Sequence, residues 1–172
     1  IKFAAANQFW MMANGFNVDF ERVRVAITAD YPRAADMPGA GFAAGPCLFK
    51  DTMQLLAFTG NTFALGNAAV MVNEGLPLYL IERLESRFEL ADLTVGILGM
   101  AFKGDTDDNR SSLSYKLRKL LMFRAKGVLC ADPYVTDDRL VTEEQVLDES
   151  DLVIVAAPHG VYRQLLIEQP LI

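Results

Sequence analysis

The sequence predicts an α/β protein in two parts: an all-helical region, then a Rossmann-like layer built on a parallel sheet. Two observations carry this. Before about residue 90 the apolar residues recur at helical spacing, and no stretch reads firmly as a strand. From Ala91 onward, short apolar runs rich in Val, Ile and Leu alternate with helical patterns. Strand–helix–strand–helix–strand order requires right-handed crossovers and hence parallel strands. The boundary is placed near residue 90, giving regions 1–90 and 91–172, and no internal repeat is visible.

Residues 1–15 read as a helix, with Asn7 and Asn14 two turns apart on one face and Gly15 as a stop. Trp10, Met11 and Met12 read as core or interface residues. Asp19 is placed to N-cap a second helix reaching about Ala29, with Val23, Ala26 and Ile27 inward. Asp30-Tyr31-Pro32-Arg33 is a turn. After a Gly-rich loop, 47–58 is helical, and Asn61 or Thr62 is expected to cap a long helix to about Phe88. Pro77 inside that pattern should kink or split it. In the second region, Leu93–Gly99, Val128–Ala131 and Leu152–Ala156 read as strands. Helices are expected over 113–126 (capped by Ser111 or Ser112), 141–149 and 162–167.

Composition narrows the function. An apolar content of 52% with 22% charged residues describes a globular protein, not a disordered one. A net charge of −6 without any basic block argues against nucleic acid as a partner. The uncharged stretch 52–73 is about long enough to cross a bilayer. Gly60-Asn61 interrupts it and polar residues are scattered through it, so two soluble helices are expected and no membrane partner. Two cysteines far apart make no disulfide framework and suit the reducing cytoplasm. The chain starts at Ile1 without Met, already in a helical pattern, and reads as a piece of something longer.

The stretch with the most chemistry is Pro38-Gly39-Ala40-Gly41-Phe42-Ala43-Ala44-Gly45-Pro46-Cys47-Leu48-Phe49-Lys50-Asp51. Its glycines and prolines exclude a regular element up to Pro46, which suits a first helical turn. Cys47 is then expected at a helix N-terminus, where the dipole and Lys50 favour a thiolate. Asp51, one turn on, can serve as a base or orient a water. The same pattern also suits a buried structural cysteine beside a solvated Lys-Asp turn.

In the second region Gly96 and Gly99 lie at a strand end, and Asp132 ends the next strand where a ribose-binding acid can sit. The spacing is not G-x-G-x-x-G, because Met100-Ala101-Phe102-Lys103 follows Gly99. Two readings stand: a nucleotide other than NAD held partly by Lys103, or a structural α/β layer with a solvated loop. His159 ends the third strand at the sheet's carboxyl edge, where open α/β sheets bind ligands; of a ligand contact and a capped turn histidine, the turn histidine is preferred.

Taken together these motifs resemble the UDP-glucose/GDP-mannose dehydrogenases. The family pattern P-G-x-G-[FY]-G-G-x-C-x-x-K-D appears here, with departures before the cysteine, as Pro38–Asp51. G-x-A-F-K-x-x-T-x-D-x-R is met by Gly99-Met100-Ala101-Phe102-Lys103-Gly104-Asp105-Thr106-Asp107-Asp108-Asn109-Arg110, and Y-D-P appears as Ala131-Asp132-Pro133, with Ala in place of Tyr. Asn73 and Pro77 fit the family's long linking helix. The resemblance implies a three-part enzyme that oxidises the C6 alcohol of a nucleotide sugar to a carboxylate with two NAD. This chain corresponds to the helical domain that forms a homodimer and to a nucleotide-sugar-binding domain truncated before its last strands. The N-terminal NAD domain and a catalytic Lys-x-x-x-Asn pair would precede Ile1.

The resemblance also implies roles. Cys47 would be the nucleophile and Asp51 its partner in proton transfer. Lys50 and Arg110 would lie near NAD. Gly39, Gly41 and Phe42 would line the sugar, Phe102 and Lys103 would hold the substrate, and Arg33 would reach the neighbouring subunit's substrate. The run Ala43-Ala44-Gly45-Pro46 is one residue longer than the family's usual spacing before the cysteine, and Ala34-Ala35 replace the usual Ile-Gly after Arg33. Both leave the sugar open. Two competing expectations remain. One is a non-catalytic module for dimerisation and nucleotide-sugar binding. The other is a hydroxyacid-type dehydrogenase, against which the thiol and the Ala-Phe-Lys loop both count.

Overall fold

A computed structural model describes all of residues 1–172. The chain folds as two compact units. The first comprises Ile1–Ala43 and Cys47–Leu76, the second Ala44–Pro46 and Pro77–Ile172.

The first unit is helical throughout. Helix α1 (Lys2–Gly15) buries Ala4, Ala6 and Asn7. Helix α2 (Phe20–Thr28) starts where the Asp19 side chain accepts from the Glu21 N–H, as its sequence position requires. Its expected inward face is not covered: Val23 is only half-buried, and Ala26 and Ile27 are exposed. Phe20 alone is buried in that helix. Helix α3 (Pro46–Phe58) begins on the proline.

Asn61 does not cap the next helix. It adopts a positive φ, and its N–H bonds back to the Leu56 carbonyl, closing α3 behind Gly60. Thr62 donates its hydroxyl back to the Thr59 carbonyl and so belongs to the same turn. Helix α4 (Ala64–Glu85) then runs as one helix with Pro77 inside it, so the expected split is absent. Pro77 lacks an N–H for the Asn73 carbonyl, but buried Leu76, Ile81 and Leu84 on either side hold the helix together. The uncharged stretch is therefore two helices, and no helix is long and apolar enough to cross a membrane.

The second unit is the parallel layer. Strands β1 (Thr94–Leu98), β2 (Gly127–Ala131) and β3 (Leu152–Val155) pair in the order β2-β1-β3, all parallel. Helices α5 (Leu113–Leu121) and α6 (Glu143–Glu149) make the crossovers. Leu98, Ala131, Val146, Val153 and Tyr162 form the core. Gly96 belongs to packing: a Cβ there would lie 2.6 Å from Val146 of α6.

Helix α5 is shorter than its pattern. Phe123 is 80% exposed, and the Lys126 N–H turns to the Leu90 and Leu93 carbonyls, which starts β2. The helix expected over 162–167 is a 3-10 turn, Gly160–Gln164, after which Leu171 bridges in parallel to Val153.

Candidate active site

The glycine loop and Cys47 are organised locally. The loop has no regular structure up to Pro46, and α3 starts there, so Cys47 stands in the first helical turn and is exposed. Lys50 and Asp51 follow on the same helix, also exposed, with Lys50 Nζ 3.3 Å from an Asp51 oxygen. Asp51 lines a small depression of about 310 Å³ with Ile1, Thr52, Leu55 and Phe63. A side chain at Gly39 or Gly41 would meet nothing within 4 Å, so these glycines leave open space over the loop. Phe42 is half-buried beside buried Ala43. Gly41 is pinned by the wholly buried Asn7, whose Oδ1 accepts from the Gly41 N–H (2.9 Å) and whose Nδ2 donates to its carbonyl (3.0 Å). Arg33 is an exposed residue of the turn that follows α2.

The two cysteines differ in kind. Cys130, at the end of β2, is 2% exposed, and burial pushes its thiol up to about 11. It is a core residue, which leaves Cys47 as the accessible thiol.

In the second unit the long loop after β1 is held at both ends. Asp132 follows β2, and its side chain has no solvent exposure. Its carboxylate accepts from four backbone N–H groups: Met100 (2.6 Å), Ala101 (3.0 Å), Tyr134 (2.9 Å) and Val135 (3.0 Å). His159 Nε2 lies 3.0 Å from the same carboxylate. Burial alone would raise this carboxyl. The N–H groups of Tyr134, Ala101 and Val135, with His159, hold it below the ordinary carboxylate value. Asp132 is therefore consumed by the loop and is not free for a ribose.

His159 is not a simple turn histidine. Its Nδ1 accepts from the Asp105 N–H at 2.8 Å, which assigns the proton to Nε2 and directs it at Asp132. The ring sits edge-on between Tyr134 and Tyr162. Asp105 in turn accepts from the Gly160 N–H at 2.7 Å. Gly99 (φ +89°) lets the loop start against Ala157, whose carbonyl would lie 2.3 Å from a Cβ there.

Between these anchors stand Phe102, half-buried, and Lys103, exposed, with Lys103 Nζ 5.5 Å from the Phe102 ring centroid. The ring also covers Gly45 (φ +116°), where a Cβ would come within 2.9 Å of it. Arg110 is exposed and pairs with Asp108 at 2.7 Å, and the Arg110 guanidinium and N–H hold the Asp108 carboxyl down at about 2.

Comparison with known proteins gives these loops a context. Residues 96–171 match the UDP-glucose/GDP-mannose dehydrogenase family, UDP binding domain. The chain is 32% identical to a UDP-N-acetyl-D-mannosamine dehydrogenase of Pyrococcus horikoshii, over 96% of this chain and 40% of the relative. It is 34% identical to the UDP-glucose 6-dehydrogenase AglM of Haloferax volcanii, over 80% of this chain and 33% of the relative. A UDP-glucose dehydrogenase structure from Pyrobaculum islandicum superposes with a TM-score of 0.87 at 32% identity, covering 99% of this chain and 43% of that one. The chain belongs to the UDP-glucose/GDP-mannose dehydrogenase family. It spans about 40% of the length of the first of these relatives.

Whether a member of this family could hold NAD on these residues alone is decided by the sheet. The turn after β1 makes no phosphate cradle: Gly99 is packed against Ala157, and the N–H groups of Met100 and Ala101 are spent on Asp132. Lys50 and Arg110, the two cations expected near NAD, are 60% and 72% exposed, each beside a carboxylate, one in each unit. As single exposed cations they do not make a dinucleotide site.

The site residues expected from the sequence fall into two groups. Arg33, Gly39, Gly41, Phe42, Cys47, Lys50 and Asp51 are in the first unit, and Phe102, Lys103 and Arg110 in the second. Sequence reasoning missed the supports, Asn7, Asp105 and His159. For His159 the sequence shows its place at the carboxyl end of β3, the sheet edge where open α/β folds put ligands, but not its bonds to Asp132 and Asp105.

Proposed function

We propose that the chain is the helical and nucleotide-sugar-binding part of an NAD-dependent nucleotide-sugar 6-dehydrogenase, which oxidises a sugar C6 alcohol to a carboxylate in two steps. The exposed Cys47 carries this reading: it opens α3 directly after an open glycine loop, with Lys50 and Asp51 in the next turn. The relatives' names support the substrate class, a UDP-sugar of the glucose or N-acetylhexosamine type.

When bound, NAD supplies the hydride acceptor for each oxidation. The residues of this chain carry the covalent and hydrolytic steps. The Cys47 thiolate adds to the C6 aldehyde, forming a C–S bond while the carbonyl oxygen takes a proton, which gives a thiohemiacetal. Oxidation of that carbon leaves a thioester on Cys47. Water then attacks the thioester carbon, Asp51 takes up the water's proton, and cleavage of the C–S bond frees the acid and the thiol. Gly39, Gly41 and Phe42 line the sugar. Phe102 and Lys103 hold the substrate, the lysine by charge. Arg33 reaches the substrate of a neighbouring subunit. The exposed Phe16, Leu65 and Met71 of the first unit favour a homodimer formed through its helices. Two unpaired thiols suit the cytoplasm.

Cys47→Ser in the intact enzyme is expected to lower acid formation by at least about a thousandfold, with aldehyde detectable by a carbonyl-trapping reagent. Acid formation at the wild-type rate would sink the mechanism. A second reading, a non-catalytic module that dimerises and binds a nucleotide sugar, is favoured by the missing phosphate cradle. Calorimetric titration with UDP-glucose, UDP-N-acetylmannosamine and GDP-mannose, and separately with NAD, followed by an assay for acid formation, distinguishes the two. Sugar-nucleotide binding without turnover in the intact protein selects the module.

A further inference from the structure

Asn7 has no role in the chemistry above, yet it is wholly buried and its side chain is committed to the glycine loop and to the residue that braces it. From α1 it accepts the Gly41 N–H and donates to the Gly41 carbonyl, so one carboxamide satisfies both backbone polar groups of one residue. Its Nδ2 also donates to Asn73 Oδ1 at 3.1 Å, and Asn73, on α4, is itself 7% exposed. Gly41 lies in a segment with no helix or strand to hold it, and its φ of +151° is a conformation other residues rarely adopt. A Cβ at Gly39 or Gly41 would touch nothing, so the loop's own side chains do not set its position there. A bidentate amide from a packed helix replaces the missing secondary structure.

We propose that Asn7, braced by Asn73, is a positioning residue that fixes the Gly39–Phe42 segment for the sugar of the substrate. This rests on the proposed reading of Gly39, Gly41 and Phe42 as sugar-lining residues. Asn7 acts through the Gly41 peptide and does not itself touch the reacting atoms. The orientation of its amide follows from the two Gly41 bonds, since the reverse orientation would set donor against donor and acceptor against acceptor. The nucleotide half of the substrate, held by the second unit, is outside its influence.

The test uses the intact protein that carries this chain, with Asn7→Leu, Asn7→Asp and Asn73→Leu. Asn7→Leu is expected to lower kcat/KM for the nucleotide sugar by about ten- to a hundredfold, with the affinity for UDP unchanged within about twofold. Asn7→Asp keeps the acceptor for the Gly41 N–H and loses the donor to its carbonyl, so its loss should be intermediate. Asn73→Leu keeps both Gly41 bonds and should show the smallest loss. Wild-type kinetics in Asn7→Leu overturn the proposal, as does an equal loss of UDP and sugar-nucleotide affinity. If Asn7→Leu fails to fold, the graded order of the other two variants decides, and equal kinetics in both overturn it. If the wild type oxidises no nucleotide sugar, the functional reading fails instead. Hydrogen exchange at the Gly41 amide then decides alone: protection lost in Asn7→Leu and largely kept in Asn7→Asp, which retains the acceptor, supports the brace, and unchanged exchange in Asn7→Leu overturns it.

Discussion

A carboxylate with no solvent exposure that accepts from four backbone N–H groups and a histidine is stabilised in its charged form. Asp132 is in this position, directly on the loop that presents Phe102 and Lys103. Asp132→Ala would strand these donors and is expected to cost about 3–5 kcal/mol, read as a lowered denaturant midpoint. The lowered carboxyl also sets a direction with pH. Stability from Asp132 is fully present above the ordinary aspartate value and is lost as pH falls through the lower folded value. Thermal unfolding followed below pH 4 should therefore show an acid-sensitive limb that Asp132→Asn reduces. A second residue-scale expectation concerns Gly45, whose φ of +116° and 2.9 Å approach to the Phe102 ring leave no place for a methyl group. Gly45→Ala should destabilise by about 1–3 kcal/mol, and Phe102→Leu in the same chain should recover only the part due to the ring. Cys47 was legible in the sequence because Pro46 and the glycines around it are local signals. Asn7, Asp105 and His159 were not, because their partners lie 34, 54 and 27 positions away and only the folded chain brings them together.

At the scale of elements, a helix start was legible where one capping side chain decides it. Asp19 and Ser112 each accept an N–H from the turn they open, as their positions suggest, and Thr142 does the same without having been singled out, whereas Asn61 and Thr62 close α3 and do not cap α4. Helix ends depend on what the next segment needs. Helix α5 gives up its expected last turn because the Lys126 N–H serves the Leu90 and Leu93 carbonyls, and the pattern over 162–167 is overruled by the return of the chain to pair Leu171 with Val153. Ser112 does more than cap. Its Oγ accepts from the Ser114 N–H and donates to the carbonyl of buried Ala101 at 3.0 Å, tying the start of α5 to the loop after β1. Ser112→Ala removes both and is expected to cost about 2 kcal/mol. Amide exchange should quicken at Ser114 first, and no change there would mean that the cap contributes nothing.

For the whole molecule, the parallel sheet followed from the alternation of strand and helix patterns, while the open side of the first unit did not follow from its periodicity. The pattern of helix α2 turns Val23, Ala26 and Ile27 inward, but the fold leaves Ala26 and Ile27 exposed, with Val25 53% and Phe16 80% exposed nearby in sequence. Periodicity finds an apolar face but does not say whether the same chain or a second copy covers it. Light scattering on the eluting peak should give twice the chain mass, and Val25→Glu with Ile27→Glu should halve it; a wild-type peak at the monomer mass would remove the homodimer from the proposal. The division of the chain has a practical corollary for anyone who wishes to cut the gene. Ala44–Pro46 belong to the second unit, although every residue around them in sequence, from Ile1 to Leu76, belongs to the first. A clone beginning at Pro77 would therefore lose the segment whose Gly45 lies against the Phe102 ring. It would be expected to come out stickier and less soluble than its strands and helices suggest, and a synthetic peptide bearing Ala44-Gly45-Pro46 is the natural additive to try in its buffer.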